Sequence, residues 1–225
     1  MQGSAARAAV LGSGDGLLTN ISLVLGVAGA STNITAVRVA GVAGMLAGAF
    51  SMAAGELVSV KAQDELVQHE IDVERTELAN DPVGEQRELA AMYRARGVPA
   101  ADADTAARIL MANPEVALDT HVRLELGVDP QNSGSSRQAA VVSFVSFSAG
   151  AILPLLPWFF TGGIPAVLAS VVIGALAAVV LGGAIGVFSG QGVWRTAGRQ
   201  LLAAGVAASV TYGVGHLLGA GARAG

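Results

Sequence analysis

The sequence contains no cysteine, which excludes disulfide bonds, thiolate metal sites and catalysis by a thiol. Charged residues are also scarce, at 13% of the chain, against roughly 25% in a typical soluble domain. There is no basic cluster of the kind that binds nucleic acid, and no N-terminal signal peptide with a small-residue cleavage site. Hydrophobic residues instead make up 52% of the chain, a composition typical of a membrane protein.

Five long apolar segments account for most of this hydrophobicity. They cover about residues 8–30, 39–60, 139–160, 164–188 and 201–218. About 20 apolar residues suffice to cross a bilayer, and such a segment must be helical because its backbone groups can pair only with one another. The sequence therefore predicts an all-α, polytopic membrane protein with five transmembrane helices. The polar stretch "STNITAVR" predicts a tight hairpin, and Pro154 and Pro157 predict a kink or an end in the third span.

An acidic insert separates the second span from the third. Of the 17 Asp and Glu residues, 15 lie between Lys61 and Asp129, where only 7 basic residues leave a formal charge of −8. The chain is accordingly divided into residues 1–60 with spans one and two, 61–129 as an acidic helical domain, and 130–225 with spans three to five.

The insert is predicted to contain three helices. The helix of the second span has no breaker at its end and should continue to about Ala79. Asp81 is a suitable N-cap for the next helix, which should end near Gly97. The third helix should start near Pro99 and reach about Met111, where Asn113 and Pro114 restart or kink it, and Gly127 should close it.

The basic residues next to the ends of the spans indicate how the chain is oriented, since cytoplasmic loops carry an excess of Lys and Arg. Five fall on one side and two on the other: Arg7, Lys61, Arg137, Arg195 and Arg199 against Arg38 and Arg223. This bias places the N-terminus and the insert in the cytoplasm. Trp158 and Trp194 are expected to anchor the protein at the membrane interface.

The insert carries two pairs of glutamates with a three-residue spacing: Glu74 with Glu77, and Glu85 with Glu88. Residues three apart share a helix face, and two antiparallel helices can point both pairs at one another. Converging carboxylates repel unless a cation lies among them, and oxygen-rich clusters suit divalent metals. A solvated acidic face is the alternative, with Arg75 and Arg87 neutralising part of its charge.

Five further residues are candidates for metal chemistry. Asp15 lies in the first span, where an ionisable group is costly and indicates function; a helix cap is the alternative. Met52 and Glu56 lie one turn apart in the second span, and a thioether prefers softer ions such as Fe²⁺ over Ca²⁺ or Mg²⁺. Glu56 is equally compatible with a place at the membrane interface. His121 shares a helix face with Glu125.

Two stretches near the N-terminus make the sequence recognisable. "DGLLTNISLVLGVAGA" followed by "AGAFSMAAGELVSVKAQ" resembles the vacuolar iron transporter family, in the members that carry a cytoplasmic metal-binding domain. The glutamate pairs resemble the acids of that domain, and "LDTHVRLELGVDP" resembles the end of its last helix. The resemblance covers nearly the whole chain.

The resemblance implies a ferrous-iron exporter that exchanges metal for protons and works as a homodimer. It implies a metal site in the insert at Glu74, Glu77, Glu85, Glu88 and Glu125, to which His121 is added because it shares a helix face with Glu125. It also implies a transport pore at Asp15 and Met52, beside which Glu56 lies. Three positions depart from the family pattern: His121 replaces a methionine found in many members, Val122 replaces an acid, and Gly44 stands where some members have a pore acid.

Other functions remain open at the level of sequence. Glutamates on neighbouring helices also suit a membrane-anchored di-iron ferroxidase or iron-storage protein, although neither Glu74 nor Glu85 has a histidine three residues later. A manganese exporter of the same architecture and a structural or lipid-binding membrane protein are further alternatives. No nucleophile–base pair or phosphate-binding loop indicates an enzyme, and no prosthetic group is expected. The Arg-rich composition indicates a bacterial cell membrane; a eukaryotic source would indicate a vacuolar membrane.

Overall fold

A computed structural model describes residues 2–127, 129 and 135–224, and the side chains of residues 2–8 and 221–224 lie outside this description. Every regular element among the described residues is helical, which confirms the all-α prediction. The helices are α1 Gln2–Ala30, α2 Ile34–Asn80, α3 Pro82–Ala95, α4 Ala100–Met111, α5 Pro114–His121, a π-helical turn Val122–Leu126, α6 Ser136–Leu155, a 3-10 turn Leu156–Phe159, α7 Gly163–Ser189 and α8 Val193–Ala224. Arg7 and Arg223, used above for orientation, have side chains outside the described part.

Five of the helices in the described part are long and apolar enough to cross a membrane: α1, α2, α6, α7 and α8. As expected, α2 continues well beyond its apolar part and ends at Asn80. α8 begins at Val193 rather than near residue 201, because nothing in the segment after Gly192 interrupts a helix. The described residues divide into two compact units. The first unit combines the chain up to Leu57 with the chain from Ser136 onwards, and the second unit runs from Val58 to Ser135.

In the first unit α1 packs against α6, α7 and α8. A side chain on Gly16 would collide with the carbonyl oxygen of Phe147, and one on Gly150 would collide with that of Ser13, so glycine permits the two backbones to meet. Leu17, the residue after Gly16, is fully buried in a cluster with Ala178 of α7 and Ala204 of α8.

The end of α6 follows the prediction from its prolines. The helix stops at Leu155, one residue after Pro154, and continues as the 3-10 turn. Trp158 in this turn is only 2% exposed, and its Nε1 donates to Ser170 Oγ at 3.0 Å. The expectation that Trp158 anchors at the membrane interface is therefore wrong, because the turn directs its ring into the packing against α7. Trp194 is 84% exposed.

The second unit packs around a small apolar core on α3 and α4. Leu89, Ala90 and Ala107 are buried in it, and Leu124 of the π-helical turn packs against them. The predicted caps are present: Asp81 accepts a hydrogen bond from Gly84 N at 2.9 Å, and Asn113 accepts one from Glu115 N at 3.0 Å.

The last helix of the second unit differs from the prediction. It ends at His121 and gives way to the wider π-helical turn, which Gly127 closes with a φ of +66°. Arg96 Nη2 donates to the carbonyl oxygen of Leu124 at 2.9 Å and so fixes this turn to the end of α3. Turns of this kind are frequent at functional sites.

Candidate metal centre

Three potential metal ligands converge in the second unit. Glu74 on α2, His121 at the end of α5 and Glu125 in the π-helical turn offer ligand atoms that all lie within 4.8 Å of one another. Glu74 is 6% exposed and His121 is completely buried, whereas Glu125 is exposed. Atoms at this separation can be shared by one ion, since metal–ligand bonds to nitrogen and oxygen are about 2.0–2.6 Å long.

Several polar atoms in this group have no hydrogen-bond partner among the described residues. Both ring nitrogens of His121 and Oε1 of Glu74 are buried and unpaired. Nδ1 of His121 lies 3.0 Å from Oε1 of Glu74, but the angles do not make a hydrogen bond. A buried group without a partner costs about 1–3 kcal/mol, so three in one place indicate a ligand that the chain itself does not supply.

A second layer of carboxylates surrounds this group. Oε2 of Glu85 on α3 lies 3.6 Å from Nδ1 of His121. Glu77 and Glu88 are exposed, yet their negative charges reach Glu85. All six predicted ligands thus lie in one region. The alternative interpretation, a solvated acidic face, fits the exposed Glu77 and Glu88 but does not fit the buried Glu74.

The electrostatics of the cluster favour a bound cation. The pKa of Glu74 is raised to about 7, and burial is the largest cause. The smaller causes, in order, are the charge of Glu125, a hydrogen bond with Glu125, and the charges of Glu85 and Glu77. The pKa of Glu85 is also raised, mainly by burial and to a smaller extent by the charges of neighbouring acids. Burial lowers the pKa of His121 by more than the negative charges of Glu125 and Glu88 raise it. His121 is therefore held in the neutral form that metals bind.

The nearby arginines do not neutralise the cluster. Arg75 forms an ion pair with Asp72 at 2.5 Å, and Arg87 Nε donates to the carbonyl oxygen of Val83 at 3.2 Å. Within the described part of the chain, no ion pair joins a lysine or arginine to the three converging ligands. Arginine and lysine therefore do not pair with these carboxylates in the part of the chain that the structure describes.

The candidate pore residues lie in the first unit and do not form a cluster in a single chain. Asp15 is exposed on α1. Met52 is part-buried against Ala49 and Phe147, and Glu56 is also part-buried. The described side chains of Asp15 and Glu56 form no hydrogen bond or ion pair with each other.

Asn20 is a buried polar residue that the sequence patterns did not indicate. Asn20 is completely buried on α1, and its Nδ2 donates to the carbonyl oxygen of Ala151 on α6 at 2.6 Å. An amide in the middle of an apolar span was the signal that could have identified it. Its burial depends on the packing of α1 against α6, which no local pattern reveals.

Comparison with known proteins gives one consistent result. A model of the VIT family matches residues 6–216. The chain is 35% identical over 219 residues to a vacuolar iron transporter of Acanthamoeba castellanii, covering 94% of this chain and 77% of that protein. It is 29% identical over 211 residues to vacuolar iron transporter 1 of Arabidopsis thaliana, covering 93% and 84%. It is also 35% identical over 214 residues to vacuolar iron transporter homolog 1 of rice, covering 95% and 73%. This chain is thus a multi-pass membrane protein and belongs to the VIT family, the transporter family that its sequence resembles.

Proposed function

We propose that this protein exports divalent metal, with Fe²⁺ as the main substrate, from the cytoplasm in exchange for protons. The relatives named above are called iron transporters, which supports iron as the substrate. The second unit is proposed to lie in the cytoplasm, as the distribution of basic residues predicts, and to belong to the metal-binding subtype of the family.

The observation that carries this proposal is the converging ligand set of the second unit, in which Glu74 and His121 are buried. Two carboxylates and one neutral imidazole converge there, with three buried atoms unpaired and no arginine or lysine among their ion pairs in the described residues. Oxygen and nitrogen ligands together suit Fe²⁺ and Mn²⁺ better than Ca²⁺. We assign Glu74, His121 and Glu125 as direct ligands. The surrounding Glu77, Glu85 and Glu88 are assigned to attracting cations and to holding further metal.

Asp15 supports a homodimer with a pore between the subunits. Its carboxylate is exposed in a single chain although it lies within the apolar stretch Ala9–Ala30 of α1. A carboxylate that faces lipid is costly, so such groups line water-filled paths or face another helix. A two-fold axis beside α1 would bring two Asp15 side chains together and complete a path that one chain leaves open.

Cross-linking should reveal this dimer. The absence of native cysteine means that Leu11→Cys and Thr19→Cys each carry a single thiol, on the same exposed face as Asp15 and one turn to either side of it. Mild oxidation in membranes is expected to trap disulfide-linked dimers at both positions. Leu168→Cys, exposed on α7, is the control and should remain monomeric. Monomers at all three positions would contradict a dimer axis beside α1.

Metal affinity should depend on pH through Glu74. Because its pKa is raised to about 7, the metal-free carboxyl holds a proton below that pH, and the ion must displace it. The lowered pKa of His121 adds no competing proton near neutrality. Affinity for Mn²⁺ or Co²⁺, measured by calorimetry on the full chain in detergent, is expected to be nearly constant above about pH 7 and to fall roughly tenfold per pH unit below it.

The matched control for this titration is His69→Gln, because His69 is an exposed histidine of the same unit outside the cluster. Its pH profile should coincide with that of the unmodified protein. An affinity that stays unchanged between about pH 8 and about pH 6 would show that the buried carboxylate takes no part in binding.

A further inference from the structure

The guanidinium group of Arg96 joins two segments of the second unit. Its Nη1 donates to the carbonyl oxygen of Met92 on α3 at 3.1 Å, and its Nη2 donates to that of Leu124 in the π-helical turn at 2.9 Å. A guanidinium is planar and holds its N–H groups in a fixed arrangement. The two hydrogen bonds together therefore restrain the position of the turn relative to the end of α3.

The carbonyl group of Leu124 depends on a donor from outside its own turn. Carbonyl groups in the last turn of a helix have no N–H partner within that helix. Leu124 lies in such a turn, three residues before Gly127, which ends the turn with a φ of +66°. Its side chain packs against the apolar core on α3 and α4. Leu124 is therefore held by this core through its side chain and by Arg96 through its carbonyl oxygen.

Two of the three converging ligands lie close to Leu124 in the sequence. Glu125 is the next residue, and His121 lies three residues earlier, where α5 gives way to the turn. His121 is completely buried, so the surrounding side chains hold its ring, whereas Glu125 is exposed. An exposed carboxylate has few packing contacts to direct it. The approach of its oxygen to within 4.8 Å of the ligand atoms of Glu74 and His121 therefore depends on the backbone that carries it.

A second arginine near the site acts within a single segment of the chain. Arg123 Nε donates to Oδ2 of Asp119 at 2.8 Å, and its Nη2 donates to Oδ1 of Asp129 at 2.7 Å. All three residues belong to the segment that contains the turn, so their ion pairs stiffen this segment without attaching it to α3. The hydrogen bond from Arg96 makes that attachment.

We propose that Arg96 is a positioning residue of the metal centre, which holds Leu124 against the end of α3 so that the carboxylate of Glu125 reaches the other two ligands. The inference rests on the proposed metal-binding function of this unit. Positioning and charge have effects of opposite sign. A positive charge in an acidic unit repels cations, so by charge alone its removal would strengthen metal binding, whereas loss of positioning weakens it.

Replacing Arg96 by methionine tests this role, because methionine keeps an unbranched stem but donates no hydrogen bond. Binding of Co²⁺ is titrated on the full chain in detergent at constant pH. Arg96→Met should weaken binding about tenfold, as is typical when a group that supports a metal ligand is lost. Arg96→Lys should recover part of this loss, since an ammonium group can donate to one carbonyl but lacks the planar fork.

The matched control is Arg94→Met, which removes the same charge near the same end of α3. Arg94 is exposed and pairs with the exposed Asp104 at 3.4 Å. This variant should bind Co²⁺ at least as tightly as the unmodified protein. A tenfold loss in the control as well would show that charge or general stability, rather than the contact with Leu124, determines affinity, and would overturn the inference.

The coupling between Arg96 and Glu125 separates positioning from a general structural role. If Arg96 acts by placing this carboxylate, Arg96→Met should cost less than about twofold in affinity when Glu125→Ala is already present. General loosening of the unit would cost the same factor in both backgrounds. Equal losses in the two backgrounds, or an Arg96→Met protein that binds Co²⁺ as tightly as the unmodified protein, would overturn the inference.

A second variant keeps the test open if Arg96→Met does not elute as a folded protein. Arg96→Lys then takes its place in the same comparison. It should weaken binding about threefold when Glu125 is present and leave it unchanged in the Glu125→Ala background. Equal effects in the two backgrounds would again overturn the inference.

The same titrations separate this inference from the function on which it rests. Normal binding of Co²⁺ by the unmodified protein together with unchanged binding by Arg96→Met contradicts only the role of Arg96. An unmodified protein that binds neither Co²⁺ nor Mn²⁺ contradicts the proposed metal centre, and the inference is overturned with it.

Discussion

Replacing Asp15 by asparagine is expected to reduce metal transport to the rate of protein-free liposomes. Asparagine keeps the size of the side chain but removes the negative charge and the proton that the carboxylate can exchange. In the proposed pore, Asp15 binds the arriving ion as a carboxylate and releases it when a proton returns from the more acidic side. An amide has no negative charge to attract the ion and no proton to exchange for it, so we expect a loss of at least about a hundredfold in uptake of Fe²⁺.

The same change at another position provides the control. Asp102 is exposed on α4 in the second unit, and Asp102→Asn should transport at the normal rate. The Asp15→Asn protein should still bind metal in its second unit, since Glu74, His121 and Glu125 are untouched. Normal uptake by Asp15→Asn, with an unchanged response to pH, would refute the proposed role of Asp15.

The second large effect is expected at the converging ligand set of the second unit. Glu74→Gln combined with Glu125→Gln removes both carboxylates that converge on His121. Because disturbing even the groups that support a metal ligand typically costs 10–100-fold in affinity, loss of two direct ligands should weaken Mn²⁺ or Co²⁺ binding by roughly a hundredfold or more. Equilibrium titration of the full chain in detergent measures this directly.

Folding and binding can be separated in this variant. The raised pKa of Glu74 means that its ionised form is disfavoured in the metal-free protein, so removing the charge should raise the metal-free melting temperature at about pH 8. Glu70→Gln with Glu115→Gln is the matched control, since both acids are exposed and outside the cluster. It should bind metal normally. Equal affinity in the two double variants would exclude Glu74 and Glu125 as ligands.

Local sequence signals predicted much of the helical framework. Asp81 and Asn113 cap helices as expected, and Gly127 takes the left-handed conformation that ends the last turn of the second unit. Each of these features depends on a few neighbouring residues, which is why composition and spacing suffice to locate them. The glutamate spacing likewise placed Glu74 and Glu77 on neighbouring parts of one helix surface.

Features that depend on distant contacts were not predictable in the same way. Spacing cannot tell that Glu74 is buried while Glu77 is exposed, because α3 and the segment after α5 determine which of them is covered. The π-helical turn after His121 and the burial of Trp158 have the same origin in tertiary packing. Asn20 became visible only through its unpaired oxygen. A meeting of Asp15 with its counterpart requires a second subunit and stays a prediction.

Metal uptake by the unmodified protein in liposomes tests proton-coupled export most directly. A panel of Fe²⁺, Mn²⁺, Co²⁺ and Zn²⁺ is offered outside vesicles that contain a pH-sensitive dye, with and without an acidic lumen. Exchange of metal for protons predicts that Fe²⁺ enters, that an acidic lumen accelerates its entry, and that the lumenal pH rises as the ion arrives. Fe²⁺ entry that neither responds to the pH gradient nor changes the lumenal pH would contradict proton exchange, and no entry of any ion of the panel would contradict transport itself.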